Sequence, residues 1–173
     1  MKRVECLPDR HASAILAILN EAILTSTALY DYRPRTPEAM QAWFAAKAQG
    51  RYPVIGVEDG GGALMGFASY GPFRAYPAFK YTVEHSVYVD ARFRGRGVGR
   101  ALLQALVQRA KEQDFHVMVG AIDATNTASR TLHEQLGFTG CGMIRQAGFK
   151  FGTWLDLVFY QLLLDTPAAP VDG

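Results

Sequence analysis

The chain has 173 residues, 49% of them hydrophobic, and a formal net charge of +2 at pH 7. This length suits a single domain that buries roughly 70% of its unfolded surface. The sequence has neither a strong net charge, nor a run of 18 apolar residues, nor an apolar N-terminal core, so we expect a cytoplasmic protein without nucleic-acid or membrane partners. Cys6 and Cys141 are too few and too far apart to indicate a disulfide framework or a metal site.

The N-terminal part predicts one short strand and two helices. Residues 2–6 can form an edge strand, and a helix with apolar residues at helical spacing begins at Pro8. A second helix begins at Pro37, because Thr36 is a good N-cap and proline is favoured at the first helical position. It extends to about Gly50.

Two loops with aromatic side chains flank a predicted hairpin. The first loop carries Tyr30, Tyr32 and Arg33, which form a substrate wall or pack against the domain. Strands are predicted over 53–58 and 63–70, because the Asp-Gly-Gly-Gly sequence between them is a hairpin signal. The second loop, residues 71–79, brings Arg74 close enough in sequence to Glu84 for the two to meet.

A strand, a glycine-rich turn and a helix follow, and the rest of the chain is organised around them. β-branched and aromatic residues predict the strand over 84–89, and apolar spacing predicts a helix after Gly99. Gly95, Gly97 and Gly99 let the backbone approach a ligand, and unpaired N–H groups at a helix start attract anions. Arginines surround this turn, at Arg92, Arg94, Arg96 and Arg100. The segment therefore predicts a pyrophosphate site.

The C-terminal part predicts a buried strand over 116–122, a helix over 126–136, and strands over 138–145 and 153–164. The proline-rich segment 166–173 is expected to be a disordered tail. The resulting order, β-α-α-β-β-β-α-β-α-β-β, is a mixed α/β pattern with a central sheet. We therefore expect a single domain over 1–165.

The spacing of the glycine-rich turn distinguishes between known phosphate-binding motifs. A dinucleotide fingerprint would need glycine at position 100, where Arg100 stands, and a P-loop motif is absent. The pattern Arg94-x-x-Gly97-x-Gly99 resembles the acyl-CoA pyrophosphate loop of the GCN5-related N-acetyltransferases (GNAT), Q/R-x-x-G-x-G/A. The alternative is an ordinary strand-to-helix turn with solvated arginines.

The resemblance covers almost the whole chain and is sharpest in three further segments. These are 82–89, the pattern Asn126-x-x-Ser129-x-x-x-His133-x-x-Leu136-Gly137-Phe138, and Gly148-x-Lys150-x-Gly152-x-Trp154-x-Asp156 with Gln161. They are similar to the phosphinothricin and methionine sulfoximine N-acetyltransferases. This resemblance implies the GNAT acyl-CoA N-acyltransferase fold, with a central, mostly antiparallel twisted sheet flanked by helices. It also implies acetyl-CoA as co-substrate, no metal and a homodimer.

Two residues are candidates for proton transfer. An attacking amine must lose a proton, and Glu84 lies at the head of the strand that leads to the pyrophosphate loop, so we expect it to be the general base. The resemblance supports this role, and the alternative is a carboxylate that holds a nearby arginine. Many GNAT enzymes use a tyrosine in the later helix as the acid for the leaving thiolate. Here His133 stands in that helix, and it donates that proton, contacts cofactor or packs.

The remaining site residues are assigned by position and resemblance. Expected cofactor contacts are Val87, Tyr88, Val89, Arg94, Gly95, Arg96, Gly97, Val98, Gly99, Arg100 and Asn126. Expected substrate contacts are Arg74, Ala75, Tyr76, Glu84, His85 and Ser86, with Phe73 and Phe79 as further pocket walls. Alternation along a strand points His85 away from Glu84, so we do not expect both to serve one site. Lys150, Trp154 and Asp156 suit an interface, a core or a site role.

The expected activity is acetylation of the α-amino group of methionine sulfoximine, methionine sulfone, phosphinothricin or a related amino acid. Within the same chemistry, the acceptor could be a peptide or protein N-terminus or a polyamine. From another class, the chain could be an acyl-CoA-binding sensor without catalysis. A two-step mechanism through Cys141 is a weaker alternative, because no activating base is evident beside it.

Overall fold

A computed structural model describes residues 1–172. Within this range the four α-helices are α1 (Pro8–Thr25), α2 (Pro37–Gln49), α3 (Val98–Glu112) and α4 (Thr127–Gln135). The strands are β1 (Lys2–Glu5), β2 (Val54–Glu58), β3 (Leu64–Pro72), β4 (Thr82–Val89), β5 (Val117–Asp123), β6 (Thr139–Lys150) and β7 (Thr153–Leu163). The order of these elements along the chain is the predicted one. None of the helices in the described range is long and apolar enough to cross a membrane.

The strands form one seven-stranded sheet, over residues 1–172, in the order β1-β2-β3-β4-β5-β7-β6. Every neighbouring pair is antiparallel except β4 and β5, which are parallel and joined through α3. A parallel pair needs such a long crossover connection. This architecture confirms the mixed α/β fold with a mostly antiparallel central sheet.

The two parallel strands pair over only half of their length. Their backbones are in register from Thr82 with Val117 to His85 with Gly120. Beyond this point β4 continues to Val89, paired with β3 alone, and β5 continues to Asp123, paired with β7 alone. The middle of the sheet therefore opens into a cleft.

Helices cover both faces of the sheet. On one face α3 buries Leu102, Leu103 and Leu106 against sheet residues such as Val83 and Met118. On the other face α1 and α2 pack their apolar sides onto β2 and β3, with Ile15, Leu19, Met40, Phe44 and Phe67 buried there. Each fully buried large apolar side chain stabilises the folded state by about 1.5–3 kcal/mol relative to exposure. The two packed layers therefore hold the strands beside the cleft rigidly in place.

The structure contains a helix cap and a hairpin turn that local sequence signals predict. Thr36 caps α2 by accepting a hydrogen bond from the N–H of Ala39. Asp59 closes the β2–β3 hairpin, since its Oδ1 accepts from the N–H groups of Gly61 and Ala63. These contacts confirm the predicted start of α2 and the predicted hairpin.

Strand β6 is longer than predicted, extending to Lys150 rather than ending near Arg145. Its register shifts between Ile144 and Gly148, and Gln146 adopts a left-handed φ of 53°. The Gln146 N–H donates to Asp156 Oδ1 at 2.8 Å, which stabilises this bulge. A bulge interrupts the two-residue alternation on which a strand prediction depends. The predicted strand therefore ends before the observed one.

The tail forms neither helix nor strand from residue 164 to residue 172, but several hydrogen bonds join it to the domain. Thr166 Oγ1 donates to the Phe115 carbonyl oxygen at 2.5 Å, and the Val171 N–H donates to Tyr81 Oη at 3.2 Å. Disorder of 166–173 stays a prediction, and position 173 lies outside the described residues.

Candidate active site

The cleft between β4 and β5 is a cavity of about 500 Å³. The glycine-rich turn and the start of α3 line one part of it, and Ser86–Val89 and Gly120–Asp123 form its strand walls. Ile18 and Ala22 of α1 reach it from one face of the sheet, and His133 of α4 reaches it from the other. The cleft is therefore accessible to side chains from both faces of the sheet.

The free edge of β4 offers backbone hydrogen-bonding groups to this cleft. The N–H of Asp90 bonds to Met65 and the carbonyl of Thr82 accepts from Phe73, so even-numbered residues of β4 direct their backbone groups to β3. By alternation, Val87 and Val89 direct their backbone N–H and C=O groups into the cleft. Tyr88 directs its backbone to β3, and only its side chain faces the cleft. The expectation of backbone contacts from all three residues is thus corrected for Tyr88.

The glycine-rich turn has the conformation that the sequence required. Gly95 and Gly97 have φ values of 75° and 78°, which glycine adopts without strain, and Gly97 is the N-cap of α3 without any side-chain cap. The first backbone bond of α3 is from the Ala101 N–H to Gly97, so the N–H groups of the preceding three residues have no helical acceptor. These groups and the helix dipole favour an anion here.

Gly99 has an additional packing role. A Cβ atom at Gly99 would lie 3.3 Å from Leu132 of α4. The absence of a side chain therefore lets α3 and α4 approach each other beside the cleft.

The arginines of the turn are held by different neighbours. Arg92 forms an ion pair with Asp90 at 2.7 Å, and Arg94 bonds to Glu21 of α1 at 2.9 Å. Arg96 lies over the Phe93 ring, and Arg100 donates to Gln135. These contacts hold the guanidinium groups around the turn, where several cations reinforce its preference for an anion.

Glu84 lies where β4 and β5 still pair, at the head of the cleft. It is half-buried, and burial raises the pKa of its carboxyl while the charge of Arg74 opposes that rise. Among residues 1–172 no ion pair joins Glu84 to an arginine, so the geometry does not favour the alternative of a carboxylate holding an arginine. A carboxyl with a raised pKa is suited to accept a proton near neutral pH.

The loop before β4 is largely exposed. The Arg74 guanidinium lies 4.2 Å above the Phe73 ring and donates to the Phe73 carbonyl oxygen at 2.8 Å. Phe73 and Phe79 pack edge to face with ring centroids 5.6 Å apart, while Ala75 and Tyr76 are exposed. The loop thus presents a cation and aromatic surface on the approach to Glu84.

His133 is buried, and its partner is His85. The two Nε2 atoms are 2.9 Å apart, and the rings also pack against Phe138. Burial lowers the pKa of both imidazoles. The side chain of His85 leaves β4 opposite Glu84, as predicted, and His85 lines the cleft whereas Glu84 lies at its head.

Gly120 makes room for the histidine pair. A Cβ atom there would lie 2.8 Å from His85 Cε1 and 3.2 Å from His133 Nε2. No local sequence pattern predicts this pairing, since the two histidines are 48 positions apart.

Asn126 caps α4 by accepting a hydrogen bond from the Ser129 N–H at 3.1 Å with Oδ1. Its amide nitrogen remains available to donate into the cleft that it lines. Nearby, the buried Asp123 accepts two bonds from Thr125 with Oδ1, and burial beside Asp123 raises the pKa of Tyr30 to about 12. The end of β5 therefore adds polar groups to the cleft that sequence reasoning did not identify.

Lys150 fixes the loop between α1 and α2 against the end of β6. Its buried Nζ donates to the carbonyl oxygens of Ser26 at 2.8 Å and of Leu29 at 2.6 Å. Tyr32 Oη donates to the Phe149 carbonyl oxygen at 2.6 Å. Because Ser26 lines the cleft, Lys150 positions part of its wall.

Known proteins that are similar to this chain are acetyltransferases. The profile of the Acetyltransferase (GNAT) family matches residues 17–138, which include Glu84, the glycine-rich turn and His133. An L-methionine sulfoximine/L-methionine sulfone acetyltransferase of Pseudomonas paraeruginosa is 50% identical over 157 residues, covering 90% of this chain and 91% of that protein. The phosphinothricin N-acetyltransferase of Streptomyces viridochromogenes is 38% identical over 160 residues, covering 91% and 85%. The crystal structure of a GNAT superfamily phosphinothricin acetyltransferase from Sinorhizobium meliloti, in complex with AcCoA, has a TM-score of 0.93 and 32% identity, covering 98% and 91%.

Proposed function

The chain belongs to the acetyltransferase (GNAT) family and is an acetyltransferase with acetyl-CoA as co-substrate, and from this premise we propose that it acetylates the α-amino group of a small amino-acid-like molecule. Methionine sulfoximine, methionine sulfone and phosphinothricin are the proposed acceptors, since relatives are named for them. One observation carries the proposal: the cleft that contains the anion-binding start of α3 begins on β4 at His85, next to the half-buried carboxyl of Glu84.

The residues of the cleft fit acetyl-CoA. The turn Gly95–Gly97 and the free N–H groups of Val98–Arg100 would hold the diphosphate, with Arg94 and Arg96 nearby. Val87 and Val89 would pair with the amides of the pantetheine arm, as a strand edge pairs with an added strand. The Asn126 amide can donate to the same arm. Acetyl-CoA supplies an activated acyl group, and the protein supplies position and proton transfer.

Glu84 is proposed as the general base. Amines are mostly protonated near pH 7, so a group must take the proton before or as nitrogen attacks. The carboxyl of Glu84 is half-buried on the face that α1 and α2 cover, and it accepts this proton directly or through water. Burial keeps its pKa above the ordinary range and therefore closer to that of a useful base.

His133 is proposed as the acid for the leaving sulfur. It lines the cleft from α4, on the opposite side of the sheet from Glu84. Its ring lies next to Gly120, the last residue of β5 that pairs with β4, and its Nε2 atom is 2.9 Å from His85 Nε2. A proton held there is available to the thiolate as the acyl group transfers to the amine.

The acceptor is proposed to bind through its carboxylate. Arg74 carries a fork of donors suited to a carboxylate, and it is close enough to Glu84 to influence the pKa of that group. Phe73 and Phe79 offer an apolar wall. A polyamine would place positive charge against Arg74, so an anionic, partly apolar acceptor fits better.

We also propose a cytoplasmic homodimer. β6 is an edge strand of the sheet, and its hairpin with β7 exposes apolar side chains: Met143, Ile144, Phe149, Phe151 and Trp154. A long, uncovered edge strand is a liability that a second subunit would remove. Both cysteines in the described range are free thiols, as expected in a reducing compartment. Light scattering tests the dimer: Trp154→Glu should shift the mass to that of a monomer.

Release of free CoA from acetyl-CoA tests the function. The panel of acceptors is methionine sulfoximine, methionine sulfone, phosphinothricin, the common amino acids, spermidine and a short peptide. Saturable release with the amino-acid analogues, and not with spermidine, is expected. Turnover only with the peptide or spermidine would redirect the assignment to another acceptor, and acetyl-CoA binding without turnover of any amine would favour a sensor.

A further inference from the structure

Both ring nitrogens of His85 and of His133 face polar atoms. His85 Nδ1 lies 2.7 Å from the Val119 carbonyl oxygen, and His133 Nδ1 lies 2.7 Å from the Ser129 carbonyl oxygen. The two remaining nitrogens, both Nε2, face each other at 2.9 Å. The protonation of the pair is therefore constrained at four positions at once.

Counting hydrogen atoms leaves one consistent arrangement. A carbonyl oxygen only accepts, so each Nδ1 atom must carry a proton to bond at 2.7 Å. Two neutral rings of this kind would direct two bare lone pairs at each other across 2.9 Å. One additional proton between the Nε2 atoms turns that repulsion into a hydrogen bond. The pair then holds three protons and one positive charge.

The other protonation states leave a contact unsatisfied. A neutral pair must move one proton from Nδ1 to Nε2, which places a lone pair against a carbonyl oxygen at 2.7 Å in a buried site. A doubly charged pair must face two N–H groups at 2.9 Å. Burial disfavours the charge of the singly charged pair, but this pair alone satisfies all four nitrogens.

We propose that His85 and His133 share one proton between their Nε2 atoms, and that His85 thereby holds His133 in the protonated form that donates to the sulfur of the departing CoA. The first part stands on the geometry alone, and the second rests on the proposed function. His85 is thus a positioning residue that acts through His133.

The reaction balances with this proton. The amine nitrogen forms a bond to the acyl carbon, and the carbon–sulfur bond breaks with its electron pair left on sulfur. The ammonium proton first leaves to solvent; Glu84 then accepts the second proton from nitrogen, and the shared proton moves from the histidine pair to sulfur. The pair is then neutral and Glu84 is protonated, so a return of one proton from Glu84 to the pair through solvent restores the resting state.

Most charged and titratable groups around the pair form their hydrogen bonds elsewhere. Tyr160 of β7 packs its ring against His133, and its hydroxyl donates to Glu134 at 2.7 Å and accepts from Arg130 at 3.2 Å. Asp123 at the end of β5 bonds to Thr125 through Oδ1, while its buried Oδ2 has no hydrogen-bond partner among residues 1–172, and Glu84 leaves β4 on the opposite face. Within residues 1–172 none of these side chains hydrogen-bonds to a ring nitrogen of the pair, so no further side-chain hydrogen bond fixes its protonation.

Nitrogen NMR of the wild-type protein tests the shared proton without any turnover. The chain has four histidines, and ¹⁵N labelling of the imidazoles gives eight resonances. At pH 7.5 we expect protonated Nδ1 in both His85 and His133, with their Nε2 shifts midway between protonated and bare nitrogen. His11 is the internal control, because its Nδ1 accepts from the Leu7 N–H and must be bare. A bare Nδ1 in either ring of the pair would overturn the proposal.

The pH dependence of turnover tests the role of His85. In His85→Leu a lone buried His133 should lose its proton at lower pH, so kcat relative to wild type should fall by about tenfold between pH 6.5 and 8.5. A purely structural effect would lower kcat by the same factor at every pH, and that result would contradict the role. His116→Leu, at an exposed histidine, is the control. If the NMR result holds but no amine is turned over, the proposed function fails and the shared proton does not.

Discussion

Glu84 and His85 are consecutive residues of β4 whose side chains leave the strand on opposite faces. Glu84 is half-buried toward the face that α1 and α2 cover, whereas His85 is buried against His133 of α4. β4 and β5 still pair at these two residues and separate just beyond them, so the cleft begins beside both. In the proposed function, a base on one face and a proton donor on the other act on one bound pair of substrates.

Glu84→Gln should lower kcat by about 10²- to 10⁴-fold while leaving acetyl-CoA affinity nearly unchanged, because the base acts on the amine and not on the cofactor. Steady-state kinetics and titration calorimetry measure the two effects. Since burial raises the pKa of Glu84 and the base must be ionised, wild-type kcat should rise with pH through a value above that of an ordinary glutamate. Glu112→Gln on the exposed face of α3 is the control. A wild-type rate in Glu84→Gln would contradict the assignment.

Gly97→Trp should abolish acetyl-CoA binding, because the side chain would occupy the anion site at the start of α3 and would strain a left-handed residue with a φ of 78°. Gly62→Trp is the control for backbone strain without loss of the anion site, because Gly62 is an exposed hairpin residue with a φ of 84°. Both variants should lose about 1 kcal/mol of stability, since left-handed backbone is costly for residues with a side chain. Only Gly97→Trp should lose acetyl-CoA binding in calorimetry. Retained affinity in this variant would show that the anion site lies elsewhere.

Gly120→Ala should impair turnover by separating the two histidines, since the new methyl group would lie 2.8 Å from the His85 ring. We expect a loss of about 1–3 kcal/mol of stability from overpacking. Gly140→Ala is the matched strand control, because its Cβ would meet the Tyr160 ring only at 4.0 Å. Urea unfolding and steady-state kinetics should show lower stability and lower kcat in Gly120→Ala than in Gly140→Ala. Equal activity in both would argue against a functional need for contact between the imidazoles.

Lys150→Met should release the loop between α1 and α2, because both carbonyl groups that its Nζ holds would lose their donor. The loss of these bonds should cost about 2 kcal/mol, and amide hydrogen exchange should accelerate over residues 26–32. KM for the amine should rise more than the Kd for acetyl-CoA. Lys80→Met, at an exposed lysine, should change neither. Unchanged exchange in Lys150→Met would show that other contacts hold the loop.

Lys47 should make stability depend on pH. Burial lowers its pKa from 10.5 to about 8. Between these values the unfolded chain binds more protons than the folded one, so the free energy of unfolding contributed by Lys47 rises with pH across this window. The slope is at most about 1.4 kcal/mol per pH unit.

Urea unfolding at pH 7.5, 8.5 and 9.5 measures this effect. The difference between wild type and Lys47→Met should grow in favour of wild type as pH increases, because the variant lacks the titrating amine. The exposed Lys2→Met variant should remain parallel to wild type. Parallel curves for Lys47→Met as well would mean that its ammonium is not desolvated in the fold.

The sequence by itself determined the features that depend on neighbouring residues. The cap at Thr36, the hairpin at Asp59 and the left-handed glycines of the turn each follow from local backbone chemistry, and the structure has all of them. Alternation along β4 likewise placed Glu84 and His85 on opposite faces. The order of elements then fixed the mixed α/β fold, because apolar periodicity identifies strands and helices that need a common core.

Only the tertiary structure decided which distant residues meet. His85 and His133 are 48 positions apart, and Lys150 reaches Ser26 across 124 positions, so no local pattern encodes either contact. The cleft itself exists because β4 and β5 cease to pair after Gly120, which depends on how α3 and the sheet pack together. Burial, not residue type, raises the pKa of Glu84, because desolvation arises only when the chain is folded. The contact between the two imidazoles likewise forms only in the folded chain.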